Sequence, residues 1–393
     1  MKQNVIILIL GLAGFIVMAD NWVVSPILPA ISGDLDIEVT RAGLLISAYM
    51  IPFGVFQLIF GPLADRFGKR QIITFSMTFF TIATGLCALG FSLTGLAIYR
   101  ALTGIFAASV MPVSLALIGD LVPMAQRQSA IGTFMGISFL GQGLSMAIGG
   151  TIAYFLSWRG VFGAYAILSL IPTILLFTVG KKIPSAQNPN ASFLKPYAKL
   201  LSTGSSVKTY LIVVFEGIFI IGSFSYLGAY ISKTYHFNYF TIGMIMTAFG
   251  LAAVLGGRVS GKLSDGMGRK QVLLLGLTFA AAADLLIYWL GTNLTTLVIA
   301  VAFLGLGFML AHSSLLTNAT EFAAKARGAA MSLVAFCFMG GGGVGTAIGG
   351  KLIEAVGFER FFLDYGIALA ILVLVAAMLI ETASAPKAQV VEQ

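Results

Sequence analysis

The chain has 393 residues, of which 58% are hydrophobic and only 10% are charged, and its mean hydropathy is +0.98. Soluble domains carry about 25% charged residues, so this composition excludes an ordinary soluble protein and indicates an integral membrane protein. The formal net charge of +8 would suit a nucleic-acid binder, but nearly all the basic residues lie in short loops between apolar runs. We therefore expect no nucleic-acid partner.

Apolar runs of about 20 residues, the length that crosses a bilayer, recur along the whole chain, six in each half. The predicted spans are 5–28, 41–62, 71–92, 94–118, 129–155, 159–180, 209–232, 239–261, 271–291, 294–317, 328–353 and 360–381. The polar, proline-containing stretch from Lys181 to Lys208 separates the two sets. The sequence thus predicts an all-α membrane protein with two pseudo-symmetric six-helix bundles, 1–182 and 208–393, joined by a cytoplasmic linker at 183–207.

Most of the 23 lysine and arginine residues fall in loops on one side of these spans. The other side has only Arg41, Arg159, Lys233, Lys351 and Arg360. Cytoplasmic loops are enriched in basic residues, so both termini are predicted to be cytoplasmic. The first apolar run lacks a small-residue cleavage site, which favours a first span over a signal peptide. We expect a monomer in contact with the lipid bilayer of a plasma membrane, of the bacterial inner-membrane kind.

A ten-residue stretch after the second span recurs 200 positions later, after the eighth span. The first copy is GPLADRFGKR, from Gly61 to Arg70, and the second is GKLSDGMGRK, from Gly261 to Lys270. The same offset aligns the Gly149-Gly150 pair with Gly349-Gly350, so the duplication extends beyond the motif. Parallel repeats of this kind occur in secondary transporters, with the substrate site near the membrane midplane between the two halves.

The first copy resembles the signature of the major facilitator superfamily between helices 2 and 3, and the resemblance covers essentially the whole chain. Its matching residues are Gly61, Asp65, Arg66, Gly68, Lys69 and Arg70; the second copy keeps Asp265, Gly268 and Arg269 but has Gly266 in place of the arginine. The glycines permit tight helix ends, Asp65 can accept hydrogen bonds from a helix N-terminus, and the basic residues are expected to pair with Asp120. The family implies a conformational gate that stabilises an outward-open state. A basic turn that only sets topology is the alternative.

Glycines recur along the fifth span and again along the eleventh. They are Gly132, Gly141, Gly149 and Gly150 in the fifth, and Gly341, Gly345, Gly349 and Gly350 in the eleventh. The fifth span resembles the glycine-rich motif of the family's drug–proton antiporters, except that Ser145-Met146 replaces its Gly-Pro pair. Because small residues let helices approach closely, we expect helix-packing positions here. Packing without any bearing on transport direction is the alternative.

Ionisable side chains within spans are costly and mark candidate functional sites. Asp20 in the first span and Arg100 in the fourth lie at comparable depth, so a buried pair is feasible. Asp20-Asn21 and Arg100 with Gly104 also resemble helix 1 and helix 4 patterns of the drug–proton antiporters. We predict proton coupling, in which Arg100 holds Asp20 ionised until a proton or a cationic substrate competes. A static salt bridge is the alternative.

Glu216 in the seventh span is the second proton-coupling candidate and could also bind substrate cations. His312 in the tenth span lies toward the same side, and in this family helices 1, 4, 7 and 10 are expected to line the cavity. His312 could shuttle a proton or simply bond to a carbonyl oxygen. Asp284, in the ninth span, falls outside that lining set and could face a neighbouring helix while protonated.

Other polar and aromatic residues are candidates for lining a substrate cavity, since aromatic walls suit planar or amphipathic ligands. With Glu216 and His312, these are Asn21, Trp22, Tyr49, Gln57, Gln142, Phe215, Phe224 and Tyr226. Cys87 and Cys337 are interpreted as packing residues without a disulfide. We expect no metal site, no cofactor and no enzyme activity, because the sequence has no clustered ligands, no nucleotide loop and no nucleophile–base arrangement.

The leading hypothesis is an antiporter that exports drugs or similar lipophilic small molecules by alternating access, driven by protons. A proton-coupled carrier of a defined metabolite, such as a sugar or an amino-acid derivative, is the second hypothesis. A membrane sensor that does not transport is the third, disfavoured because we expect no appended signalling domain. With no ATP-binding motif in the sequence, an ion gradient is the expected source of energy.

Overall fold

The computed structural model describes residues 3–185, 187, 195–322 and 327–380, and nearly all of them are helical. Part of the predicted linker, 188–194, and the end of the chain after residue 380 lie outside the described residues. The α-helices are α1 (Gln3–Trp22), α2 (Val24–Asp34), α3 (Val39–Ala42), α4 (Leu44–Phe67), α5 (Lys69–Ala88), α6 (Leu93–Ala107), α7 (Val110–Leu121), α8 (Met124–Phe155), α9 (Trp158–Thr178), α10 (Lys195–Leu201), α11 (Gly204–Glu216), α12 (Gly222–Tyr235), α13 (Tyr239–Met267), α14 (Arg269–Leu290), α15 (Leu294–Phe322) and α16 (Arg327–Leu379).

Within the described chain, 11 helical segments are long and apolar enough to cross a membrane. The last one, Gly328–Leu379, contains Gly357 at φ 80° and ψ 170°, a backbone conformation that suits glycine. Beyond this point the chain folds back. The Tyr365 hydroxyl donates to the Gly345 carbonyl at 2.7 Å, although a straight helix would hold these residues about 30 Å apart. The segment is therefore a helical hairpin in the region where the sequence predicts spans 11 and 12.

Three of the predicted spans are interrupted in the structure. The first breaks at Val23 between α1 and α2, and the fourth breaks between α6 and α7. Each break lies four residues or fewer before a proline, Pro26 or Pro112, which cannot donate the backbone hydrogen bond that would continue the helix. The seventh contains a π-helical turn, Gly217–Ile221, between α11 and α12. Such turns are frequent at functional sites.

The turns of the two repeats share one conformation. Gly68 has φ 100° and ψ 130°, and Gly268 has φ 89° and ψ 151°. Each glycine ends one long helix and starts the next, so both turns lie on the same side of the molecule, which we call the motif face. This backbone region is essentially confined to glycine, which explains why the repeat keeps a glycine at both positions.

The two halves, α1–α9 and α11–α16, meet on the side away from the motif face. The Ser25 hydroxyl donates to the Phe224 carbonyl at 2.7 Å, and the Ser47 hydroxyl donates to the Gly343 carbonyl at 2.8 Å. On α8, a Cβ added at Gly150 would strike the backbone of α13 at Tyr239. Close backbone approach and side-chain hydrogen bonds to backbone carbonyls therefore seal this side.

Toward the motif face α8 and α13 border open space, which we interpret as a crevice between the halves. A Cβ added at Gly132 or Gly136 on α8, or at Gly261 on α13, would meet nothing within 4 Å. The prediction that Gly132 is a helix-packing position is therefore wrong for this conformation, because its stretch of α8 borders open space. The other predicted packing glycines do lie against neighbouring helices: Gly141, Gly149, Gly150, Gly341, Gly345, Gly349 and Gly350.

A side chain of the linker region bridges the halves at the mouth of the crevice. Tyr197 on α10 donates its hydroxyl proton to the Leu58 carbonyl of α4 at 3.0 Å and also hydrogen-bonds to Ser332 of α16. Burial raises the pKa of the Tyr197 phenol, so it keeps its proton at neutral pH. The helix that follows, α11, begins at Gly204, inside the stretch that the sequence assigns to the linker.

We expect Gly68→Ala to destabilise the protein by about 1–3 kcal/mol, because an alanine is strained at positive φ and its Cβ would also strike Gln71. Thermal unfolding in detergent would show this as a lowered midpoint. Gly61→Ala is the matched control, because Gly61 is helical and an added Cβ would meet only the Tyr197 hydroxyl at 4.0 Å. Equal unfolding temperatures for the two variants would contradict the conformational requirement.

Candidate transport site

Asp20 on α1 and Arg100 on α6 form a fully buried ion pair. Arg100 Nη1 donates to Asp20 Oδ2 at 2.7 Å, and the two side chains are 1% and 0% exposed, respectively. Arg100 Nη2 also lies 3.5 Å from the Asp20 carbonyl oxygen. Since a charge in an apolar interior is stable only when it is paired, each group requires the other.

Aromatic rings enclose this pair on two sides. The Arg100 guanidinium carbon lies 4.2 Å from the ring centre of Tyr49 on α4 and 5.6 Å from that of Phe162 on α9. Cation–π contacts of this kind strengthen when water is excluded. Asp20 Oδ1, Arg100 Nε and the Tyr49 hydroxyl have no hydrogen-bond partner among the described residues. Asp20 Oδ1 could take a proton, and Arg100 Nε and the Tyr49 hydroxyl could each hydrogen-bond to water, without breaking an existing contact.

A second buried carboxylate lies in the C-terminal half. Glu216, the last residue of α11, is 0% exposed, and its Oε2 lies 3.1 Å from Nδ1 of His312 on α15. The His312 side chain is 18% exposed, so the imidazole is the part of this pair that is accessible. Glu216 Oε1 has no partner within the described chain. A proton or cation from the crevice would therefore reach Glu216 past the imidazole.

A cluster of aromatic rings separates the two pairs and joins the halves. The Trp22 ring of the N-terminal half contacts Phe224, Phe249 and Phe308 of the C-terminal half, with centroids 5.1, 5.4 and 5.8 Å away. Phe308 stacks on Phe338 at 5.3 Å. All five rings are buried. The cluster thus closes the inner end of the crevice with apolar, polarisable surface.

The end of α1 connects the ion pair to this interface directly. Asp20 faces Arg100 within its own half, whereas Trp22, two residues later, packs into the other half. Asn21 also faces across, with Nδ2 4.0 Å from the Met339 sulfur. Because the helix breaks at Val23, a movement of Asp20 relative to Arg100 would first displace Asn21 and Trp22, the last two residues of α1.

The structure places two further cavity candidates, and Asp284 of the ninth span, in different environments. Gln57 and Gln142 are buried, and Gln142 Nε2 has no partner in the described chain. Asp284 lies inside the C-terminal half, where Ser223 Oγ donates to its Oδ1 at 2.5 Å. Asp284 is therefore away from the crevice, as its position on the ninth span suggested.

Two of the predicted cavity residues do not line the crevice. Phe215 is 41% exposed and stacks on Phe219, whose ring contacts Tyr365 on the far side of the C-terminal half. Consecutive helical residues point about 100° apart, so Phe215 cannot share the direction of Glu216. Tyr226 lies in the sealed side instead, where its hydroxyl lies 3.0 Å from the Thr346 carbonyl and 3.2 Å from the Thr40 carbonyl.

The repeated motifs hold each half together at the motif face. Lys69 lies 3.2 Å from Asp65 and 2.8 Å from Asp120 at the end of α7. In the second copy Arg269 pairs with Glu321 near the end of α15. Lys69 alone of the three basic residues contacts Asp120: Arg70 donates to the Lys181 carbonyl at 2.6 Å, and Arg66 lies over Phe67. The charges thus brace helices within a half.

Sequence reasoning missed Ser25, Phe249, Phe308 and Phe338. None of them stands in a motif, and the chain has 31 phenylalanines, so composition could not single these three out. The spacing of Phe308 and His312 by one helical turn was the available signal, because it places both on one face of the tenth span.

The fold and the paired buried charges define a membrane transporter built from two helical halves. A sequence profile of the Major Facilitator Superfamily matches residues 10–237 and 209–393, so the chain belongs to that family. The fold is also similar to the crystal structure of a bacterial homologue of the human lysosomal transporter Spinster. That structure has a TM-score of 0.76 and 17% identity and covers 96% of this chain and 95% of the other.

Curated relatives include both transporters of unassigned substrate and multidrug transporters. The uncharacterised MFS-type transporter YceJ of Bacillus subtilis is 29% identical over 352 residues, 87% of each chain. A putative metabolite transport protein of Haemophilus influenzae is 26% identical and covers 89% of this chain and 88% of its own length. The multidrug transporter MdtP of B. subtilis is 31% identical over 44% of this chain and 32% of its own length.

We expect Arg100→Met to cost about 3–5 kcal/mol of stability, because it leaves the buried carboxylate of Asp20 without its cationic partner. Adding Asp20→Asn to that variant should recover much of the loss, since neither charge then remains. Unfolding of the two single variants and the double variant in detergent gives the coupling energy as a double-mutant cycle. Additive losses would show that the two side chains do not interact.

Proposed function

We propose that this protein is a proton-coupled secondary active exporter of lipophilic small molecules that works by alternating access. One observation carries the proposal: each half buries one carboxylate beside a single cationic or protonatable partner, and an aromatic cluster lies between them. Buried ionisable groups in membrane helices are costly and mark ion or proton pathways. The absence of an ATP-binding motif in the sequence is consistent with an ion gradient as the driving force.

Proton coupling begins at Asp20 in this proposal. A proton on Asp20 cancels its charge and weakens its attraction to Arg100. The Arg100 charge is then stabilised by its cation–π contacts with the Tyr49 and Phe162 rings. Trp22 follows Asp20 on the same helical turn. Weakening the Asp20–Arg100 contact therefore allows Trp22, the ring that the N-terminal half contributes to the aromatic cluster, to move. Protonation and closure of the halves are thereby linked through α1.

Glu216 and the aromatic cluster form the proposed substrate site. The rings offer buried planar surface to a lipophilic ligand, and Glu216 offers a negative charge behind His312. A cation that binds there would compete with a proton for the same carboxylate. Asn21, Gln57 and Gln142 are the polar groups that we assign to orientation of the ligand.

The crevice opens on the motif face, where the basic loops lie. Since basic loops favour the cytoplasmic side, we assign this face to the cytoplasm, with both termini there. The conformation is then inward-facing and would admit substrate from the cytoplasm. In the cycle, the braces at Lys69 and Arg269 keep each half rigid while the halves rock, and Gly266 leaves the second brace with fewer charges.

A carrier of a defined metabolite is the second candidate, favoured by the extent of the similarities. The Haemophilus protein that matches nearly the whole chain is named a putative metabolite transport protein, whereas the multidrug transporter MdtP matches less than half of it. The site itself favours a lipophilic ligand, because its rings outnumber its polar groups.

We expect substrate efflux from energised cells to stop when the proton gradient is dissipated, and to stop in Asp20→Asn even with the gradient intact. Asp284→Asn is the matched control, since it makes the same chemical change at a buried carboxylate outside the crevice, and it should retain efflux. Accumulation assays with membrane levels of each variant measured in parallel provide the test. Gradient-independent efflux by the wild type would refute proton coupling.

A growth-inhibition panel across many compounds distinguishes the two substrate classes. Expression of the wild type should raise resistance to several unrelated lipophilic compounds, and Glu216→Gln should lose resistance to the cationic ones first, because it removes the negative charge of the site. Resistance to, or uptake of, one compound only would favour the metabolite carrier.

A further inference from the structure

A groove on the outer surface of the N-terminal half has the properties of a lipid site. It lies between α5 and the end of α9, encloses a volume of about 400 Å³, and begins at the motif face. The two helices pack against each other, but the phenylalanines that line the groove are exposed, so the groove faces the surrounding bilayer. It is separate from the crevice and from the carboxylates of the proposed transport site.

The end of the groove at the motif face is cationic. Arg70 and Lys181 both line it, and no acidic side chain does so among the residues that the structure describes. One guanidinium nitrogen of Arg70 is held by the Lys181 carbonyl at 2.6 Å, which fixes the direction of the group and leaves its other N–H donors available. A planar guanidinium with an adjacent ammonium suits the two free oxygens of a phosphate.

The deeper part of the groove is apolar. Phe75, Phe79 and Phe177 line it and are 49%, 39% and 47% exposed. Phe75 and Phe79 pack against each other at 4.7 Å, so they form a continuous wall. From Arg70 to Phe79 the helix rises by roughly 14 Å at 1.5 Å per residue, which is about half the thickness of the hydrocarbon core.

We propose that this groove binds an anionic phospholipid of the bilayer, with its phosphate on Arg70 and Lys181 and an acyl chain along the three phenylalanines. The charge at the membrane-interface end and the apolar depth below it match the two parts of one lipid molecule. Free phosphate lacks the acyl chain, and a zwitterionic lipid brings its own cation to the basic end. Neither fits both parts of the groove.

Native mass spectrometry of the purified protein in detergent tests the proposal, with phosphatidylglycerol and phosphatidylcholine of identical acyl chains as probes. The wild type should retain phosphatidylglycerol preferentially, and its affinity should fall about fivefold for each cation removed in Arg70→Gln and Lys181→Gln. Lys270→Gln is the matched control, because Lys270 occupies the Arg70 position of the second repeat, and it should bind as the wild type does. A photoactivatable phosphatidylglycerol should label peptides of α5 and α9.

Several results would overturn the proposal. Equal retention of both lipids would show that the groove recognises acyl chains only. An equal loss of binding in Lys270→Gln would indicate general charge attraction, and displacement of the lipid by inorganic phosphate would indicate an anion site. Photolabelling confined to helices other than α5 and α9 would show that the lipid does not bind in this groove. This result does not depend on the stability of Arg70→Gln, because the labelling uses the wild type.

Discussion

The pairing of Asp20 with Arg100 is the interaction on which the rest of the arrangement depends. An unpaired charge is costly in an apolar interior, so the pair ties α1 to α6 and fixes the rotation of α1 about its axis. That rotation in turn directs Trp22 across the interface into the rings of the other half. A single electrostatic requirement within the N-terminal half therefore determines which residues can meet at the inner end of the crevice.

Close backbone approach and hydrogen bonds to backbone carbonyls hold the two halves together on the sealed side. In a bilayer there is little hydrophobic gain from joining helices, so close packing and hydrogen bonds must supply the contact energy. Glycines serve this purpose at two positions. Gly150 on α8 lies against the backbone of α13, and the carbonyl of Gly343 on α16 accepts a hydrogen bond from the Ser47 hydroxyl. Such an interface can part without exposing a large apolar core, which suits halves that rock against each other.

The sequence predicted the buried pairs better than their surroundings. Asp20, Arg100 and Glu216 were identifiable because charged residues are rare in the spans, and each of these residues is paired in the structure. Phe215 was placed in the cavity as one of a set of aromatic candidates, but its side chain points away from that of its neighbour Glu216 and is 41% exposed. Phe249, Phe308 and Phe338 were missed because only the packing of three helices, α13, α15 and α16, brings them together, and no local pattern records that packing.

Amino-acid order alone indicated a helical membrane protein with a duplicated architecture, and it singled out the rare charges, because hydropathy, charge distribution and repeats are local or periodic properties. Packing alone decided the π-helical turn at Gly217–Ile221, the pairing of Glu216 with His312, and the face on which the crevice opens. At the 200-residue offset of the duplication, Ile220 stands where Asp20 would repeat. The folded chain shows that Glu216, one turn earlier, provides the C-terminal carboxylate, a relation visible only when the helices are packed.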